Sequence, residues 1–134
     1  VVICHGRSPL WEQLRTFVAD DLGLEWDEFN RVVVAGVATT ERLRQMIDTS
    51  VMALIVATAE DETSEGLVAR QNVVHEIGLF QGHLGFARAI ILLEQGCAEF
   101  SNIHGLGQVR FPSGDIAACF EEIRRVLQRE GLVP

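Results

Sequence analysis

The segment VMALIVAT, residues 51–58, is the clearest buried strand in the sequence. It is apolar almost throughout and lacks the polar–apolar alternation of a strand with one exposed face. Such segments are typical of parallel sheets, in which helices cover both faces. Further strand-like segments at 1–5, within 24–34, at 87–94 and at 108–111 alternate with helical patterns. We therefore predict an α/β fold, a three-layer sandwich around a five-stranded parallel sheet.

Helix signals fill the intervals between these strands. Ser8 is a candidate N-cap with Pro9 at the first helical position, and Gly23 is placed to end that helix. A second clear helix is predicted from about 69 to 84. The acidic segment AEDETSEGLV at 59–68 reads as a loop.

The composition excludes several classes of function. The net charge of −8 argues against a nucleic-acid or anionic-membrane surface. All 11 basic residues are arginine, so a Schiff-base lysine and a Walker A lysine are both excluded. No apolar segment approaches the length of about 18 residues that a membrane span needs. No histidine or cysteine spacing predicts a metal site.

Length and cysteine usage bear on domain organisation and location. The 134 residues fit a single domain, 1–134. The sequence begins at Val1 inside a strand-like segment, so we expect a module of a longer multidomain protein. The three cysteines, an odd number without a C-x-x-C motif, are typical of a reduced, cytoplasmic protein.

One acid stands out in the segment ARQNVVHEIGLF, residues 69–80. At about 100° per residue, Glu76 lies roughly 80° from the centre of the apolar helix face. This angle predicts a half-buried position on the shoulder of the helix. Glu76 is then either a boundary residue with a solvated carboxylate or a carboxylate beside a ligand crevice. In the second case Asn72 would be its polar neighbour and partial burial would raise its pKa.

Several segments, in a consistent order, resemble bacterial TIR-like nucleotide-binding domains. They are ICHGRS (3–8), GLEWDEFNRVVVAGVATTERLRQMID (23–48), TAEDE (58–62), ARQNVVHEIGLFQGHLGF (69–86) and AIILLEQGCAEFSNIHGLGQVRFPSG (89–114). Such domains occur in anti-phage effectors, including bacterial STING proteins and cyclic-nucleotide-gated Pycsar effectors. The resemblance implies a flavodoxin-like TIR fold in a bacterial defence effector.

The same resemblance implies an activity. TIR domains of this kind cleave the nicotinamide–ribose bond of NAD⁺, which is the substrate, and need no further cofactor. The resemblance places the catalytic carboxylate at Glu76. It also implies that the loop at about 31–39 gates the site, and that activity follows self-association through TIR surfaces. A fused sensor domain that binds a cyclic nucleotide is expected to drive this assembly.

The residues that we expect to bind substrate lie near the carboxyl ends of the strands, where ligands bind in such sheets. Around the first strand end, HGRSP offers backbone N–H donors to the pyrophosphate, and Gly6 permits close approach. Arg7 contacts either phosphate or a neighbouring acid, and Ser8 either caps the helix or contacts ligand. Phe29 stacks on a base or packs in the core.

Around the third strand and the next helix the same alternatives apply. Thr58 and Asp61 are expected to line the pocket, although Asp61 reads equally well as a solvated loop acid. Arg70 pairs either with an acid of the 59–62 loop or with substrate.

Two other readings of function remain open. A non-catalytic TIR module would use the same surfaces only for assembly or nucleotide binding. An enzyme resembling nucleoside deoxyribosyltransferases would also place a glutamate at an anomeric carbon.

Overall fold

The computed structural model describes residues 1–29, 39–64, 66–99 and 108–134. Numbered along the chain, the strands are β1 (Val2–Cys4), β2 (Asp27–Glu28), β3 (Ala53–Ala57), β4 (Asp61–Thr63), β5 (Gly66–Val68), β6 (Ala89–Glu94) and β7 (Gln108–Phe111). All except β4 and β5 form one parallel sheet in the order β2-β1-β3-β6-β7. The predicted five-stranded parallel sheet is confirmed.

The helices form the two outer layers. They are α1 (Trp11–Thr16), which continues as a π-helix over Phe17–Asp21, α2 (Thr39–Thr49), α3 (Gln71–Leu84) and α4 (Phe120–Arg129), which follows a 3₁₀ turn at Ile116–Cys119. Apolar residues of α1 and α4 pack on one face of the sheet, and those of α2 and α3 pack on the other. Three layers result, as the apolar strands predicted.

The central strand β3 shows why the sheet needs cover on both sides. All five of its residues are buried. Leu54 and Val56 belong to the core under α1 and α4, whereas Ile55 and Ala57 belong to the core under α2 and α3. Because successive strand residues point to opposite faces, a continuous apolar segment fits only between two helical layers.

The strand order locates the crevice of the fold. Counting only the parallel strands, the order is 2-1-3-4-5, which is the flavodoxin-like arrangement. The chain runs from β1 towards one edge of the sheet and from β3 towards the other. The reversal lies between β1 and β3, and in such sheets ligands bind beyond the carboxyl ends of the strands at this point.

The predicted start of the first helix is wrong. The helix begins at Trp11, and its N-cap is Leu10, without a side-chain hydrogen bond. The N–H groups of Glu12 and Gln13 donate to the carbonyls of Pro9 and Leu10, three residues earlier, at 3.0 and 3.1 Å. Residues 8–10 therefore form a tight turn before the helix. Its end is as predicted, because Gly23 follows with a φ of +67°.

The acidic segment at 59–68, predicted as a loop, contains the antiparallel hairpin β4–β5. Glu60 N–H donates to Val68 O at 3.1 Å and extends the hairpin ladder by one bond, whereas Ala98 N–H donates to Leu67 O at 2.8 Å and attaches the hairpin to the segment after β6. Most of its side chains are exposed or only partly buried. A strand without a buried face carries no hydrophobic pattern, so periodicity could not predict it.

Across the described ranges, no helix has both the length and the apolar character that a membrane crossing requires.

Candidate active site

The carboxyl ends of β1 and β3 lie side by side where the strand order reverses, which is the switch point of the sheet. Residues 5–7 follow β1 and residues 58–61 follow β3. Because these strands are parallel, both segments leave the sheet on the side of the carboxyl ends. Helix α3 packs over β3 and β6. The candidate site lies where these two loops and one side of α3 meet.

Glu76 is buried, with only 4% of its surface exposed, so the predicted half-exposed position is wrong. Angular position on the helix alone suggested a shoulder, but the sheet is wider than the helix. Because α3 lies over β3 and β6, the side of α3 that carries Glu76 faces the next strand, β1. There the carboxylate meets the thiol of Cys4.

Burial dominates the electrostatics of Glu76. Loss of solvation raises the pKa of its carboxyl from 4.5 to about 7, while the Cys4 hydrogen bond and the Arg70 charge oppose that rise. Burial also raises the pKa of Cys4 well above its usual value, and the nearby Glu76 charge adds to the increase. The thiol therefore stays protonated at neutral pH and acts as a donor to the carboxylate.

One carboxylate oxygen of Glu76 lacks a partner. Within the described residues, Oε2 is buried and forms no hydrogen bond. An unsatisfied buried acceptor costs about 1–3 kcal/mol, so native structures rarely retain one without a purpose. Such an oxygen is available to a hydroxyl group or to a positive centre of a ligand.

The loop after β1 is held by an acid from the loop after β3. Arg7 N–H donates to Oε1 of Glu60 at 2.7 Å, and the hydroxyl of Thr58 donates to Oε2 of the same carboxylate. Gly6 lies directly beneath that carboxylate. The expected close approach at Gly6 is observed, but here the approaching group is a side chain of the protein itself.

The other predicted residues of these two loops have structural partners. The Arg7 guanidinium is 65% exposed and lies 3.7 Å from Asp61, which matches the salt-bridge alternative. Ser8 Oγ accepts from Leu10 N–H at 3.4 Å and so stabilises the turn before α1. Thr58 is buried. These contacts leave the predicted ligand roles of all four residues untested.

Three further predicted residues lie on or near α3. Phe29 packs against Phe80 with the two rings nearly perpendicular and their centres 6.3 Å apart. Arg70 is half-buried and influences Glu76, and in the part of the chain that the structure describes it forms no ion pair with an acid. Asn72 is exposed, and no hydrogen bond links it to Glu76 in that part. Asn72 is therefore not the polar neighbour that the helix spacing suggested.

Several contacts that build the site were not predictable from the sequence. In the sequence, Cys4 lies within an apolar strand-like segment and Glu60 is one acid among several in the 59–68 segment, so neither stands out. His5, at the end of the first strand, could be either a satisfied histidine or a ligand group, and here its partners come from the protein: its Nε2 lies 2.5 Å from Glu28 Oε1, its Nδ1 lies 2.6 Å from Gly6 O, and its ring stacks on Trp11. The only available signal was that these residues sit at or just beyond the ends of adjacent parallel strands.

Comparison with known protein families supplies an independent line of evidence. Residues 1–113 match the family described as "CAP12/Pycsar effector protein, TIR domain". The match includes β1, α3, Glu76 and the two loops that meet at the switch point. No curated protein matches the chain.

Proposed function

Because the chain belongs to the TIR-domain family of CAP12/Pycsar effector proteins, we propose that it cleaves the nicotinamide–ribose bond of NAD⁺. In this proposal it is the effector domain of a bacterial anti-phage defence protein. Water replaces nicotinamide at the anomeric carbon to give linear ADP-ribose, or a nucleophilic group of the same molecule does so to give a cyclic form.

The observation that carries this proposal is the buried carboxylate of Glu76 at the switch point, with one oxygen unpartnered among the described residues. Breaking a glycosidic bond passes through a ribosyl group with oxocarbenium character. A preorganised negative charge stabilises that positive centre more strongly in a sheltered site than in water. Removing one such electrostatic contribution costs about 10²–10³ in rate.

The leaving group explains why one carboxylate suffices. Nicotinamide is cationic in NAD⁺ and departs as a neutral base, so no general acid is needed to protonate it. Glu76 must be ionised to act, and its pKa of about 7 leaves the two forms balanced near neutral pH. A cationic substrate placed beside the carboxylate favours the ionised form.

Substrate binding by the loops around the switch point is part of the same proposal. The proposed contacts come from Gly6, Arg7, Ser8, Phe29, Thr58, Asp61, Arg70 and Asn72. The backbone of the 6–8 turn and Arg7 would bind the pyrophosphate, and Arg70 lies near enough to Glu76 to influence its charge. Self-association and a fused cyclic-nucleotide sensor are also proposed. The predicted gating loop, about 31–39, falls largely outside the described residues.

The test is release of nicotinamide from NAD⁺ by the protein fused to a small oligomeric scaffold, which holds several copies together. The proposal expects turnover that disappears in the Glu76→Gln variant of the same fusion. Cleavage of a 2′-deoxynucleoside instead of NAD⁺ would favour the deoxyribosyltransferase-like alternative. Assembly without cleavage of either compound would favour a non-catalytic module.

A further inference from the structure

The carboxylate of Glu60 occupies a position suited to an anion from outside the protein. Its two oxygens accept from the main-chain N–H of Arg7, at 2.7 Å, and from the hydroxyl of Thr58. Thr58 is 2% exposed, so its hydroxyl is fixed by the surrounding core. A backbone N–H and a hydroxyl are donors that proteins also use to bind phosphate oxygens.

Gly6 makes this position accessible. A Cβ at residue 6 would collide with the Glu60 carboxylate, whose Cδ would lie 2.9 Å away. The backbone of the loop therefore forms the floor of the position, and only glycine leaves room for an anionic group above it. Glycine at such a point is typical of sites where the main chain approaches a ligand closely.

A second contact between an acid and Arg7 lies next to this position. Asp61, next to Glu60, lies 3.7 Å from the guanidinium of Arg7, which is 65% exposed. The loop after β3 thus pairs two successive acids with the N–H and the side chain of a single residue. An exposed ion pair of this kind contributes little and exchanges readily with other partners.

We propose that Glu60 is an internal competitor for a phosphate site. A phosphate group of the ligand binds Arg7 N–H and the Thr58 hydroxyl above Gly6 once the Glu60 carboxylate has moved away. The ligand class is a nucleotide with a diphosphate group. The inference rests on the proposed function only for its choice of ligand, since NAD⁺ contains such a group.

The location agrees with this role. Gly6 follows β1 two residues after Cys4, whose thiol contacts Glu76. A diphosphate above Gly6 is therefore close to the carboxylate that we assign to the ribose. While Glu60 holds the donors, only the fraction of molecules with a displaced side chain can bind phosphate, which lowers the apparent affinity.

The experiment is calorimetric titration of the protein with ADP, comparing Glu60→Gln and Glu60→Ala with the unaltered chain. The Kd for ADP should fall by about tenfold, equivalent to about 1.4 kcal/mol, because the carboxylate no longer competes for the two donors. Glu62→Gln, an exposed acid of the same hairpin, is the matched control and should leave the Kd unchanged. Adenosine, which lacks phosphate, should not distinguish the variants.

Two results would overturn the inference. One is an ADP affinity that is unchanged or weaker in both Glu60 variants while both remain folded by circular dichroism. The other, which needs no variant, is an Arg7 amide resonance that does not respond when ADP binds to the unaltered protein. Because these experiments measure binding, they distinguish this inference from the hydrolytic activity, which the Glu76 variant tests separately.

Discussion

The thiol of Cys4 at the end of β1 lies against the carboxylate of Glu76 in the second turn of α3 and stabilises its ionised form. Both side chains are buried, with exposures of 0% and 4%. Burial favours the neutral acid, whereas the thiol and Arg70 favour the carboxylate. These opposing effects leave the pKa of Glu76 at about 7, so small changes in its surroundings alter the fraction that is ionised at neutral pH.

NAD⁺ cleavage should increase with pH around an apparent pKa of about 7, the value for Glu76. The ionised form stabilises the ribosyl cation, and its population grows as pH rises through the pKa. The measurement is kcat/KM for nicotinamide release, which reports the ionisation of the free enzyme. A profile that stays flat or falls over this range would contradict the assignment.

Replacing Cys4 with alanine should move this pH profile to higher pH. The thiol lowers the pKa of Glu76, so its removal leaves the carboxylate with less stabilisation. Cys4→Ser keeps a hydroxyl donor and should shift the profile less. Cys119→Ala is the matched control, because Cys119 is equally buried but lies in the core on the opposite face of the sheet. Equal profiles for Cys4→Ala and Cys119→Ala would show that the contact has no electrostatic role.

Stability should also report the burial of Glu76. Its pKa is about 7 in the folded protein against 4.5 for the free group. At pH values between these two pKa values, the Glu76 carboxyl keeps its proton in the folded state and has lost it in the unfolded state. The free energy of unfolding should therefore fall by about 3 kcal/mol as pH rises from about 4.5 to about 7, and then level off.

Glu76→Gln should remove that part of the pH dependence. The measurement is the free energy of unfolding in urea, at about pH 5 and at about pH 8, for each variant. The difference between the two pH values should shrink for Glu76→Gln and stay the same for Glu62→Gln. An unchanged difference in both variants would mean that Glu76 titrates as an exposed acid.

Phe80 and Phe86 offer a test of the core. Phe80 lies on the inner face of α3 and is fully buried, whereas Phe86, just after this helix, is 51% exposed. Phe80→Ala should reduce the free energy of unfolding by about 3–5 kcal/mol, the usual cost of a large cavity. Phe86→Ala should change it by less than about 0.5 kcal/mol, as most surface substitutions do. Similar losses for both would contradict the packing described for α3.

The sequence predicted most of the sheet because buried strands carry a strong apolar pattern. β3 and β6 are apolar along nearly their whole length, and each lies within its predicted segment but begins two residues later than predicted. The hairpin β4–β5 was missed because backbone hydrogen bonds, not burial, hold it in place. The start of α1 was misplaced because Ser8 and Pro9 favour a turn as readily as a helix start.

The candidate site was predictable only in part. Glu76 could be singled out from a helix pattern and a family resemblance, but its burial depends on β1, which is distant in sequence. The contacts of Cys4 with Glu76 and of Glu60 with Arg7 join different strand ends. Periodicity describes a single element at a time, so it cannot reveal side chains that meet across a sheet.

The most direct test of the central claim is nicotinamide release from NAD⁺ by the oligomerised protein and its Glu76→Gln variant. Our account predicts a loss of at least about 10²-fold in kcat, with unaltered assembly and folding. Glu62→Gln in the same fusion should retain full activity. Full turnover by a folded, assembled Glu76→Gln variant would contradict the account.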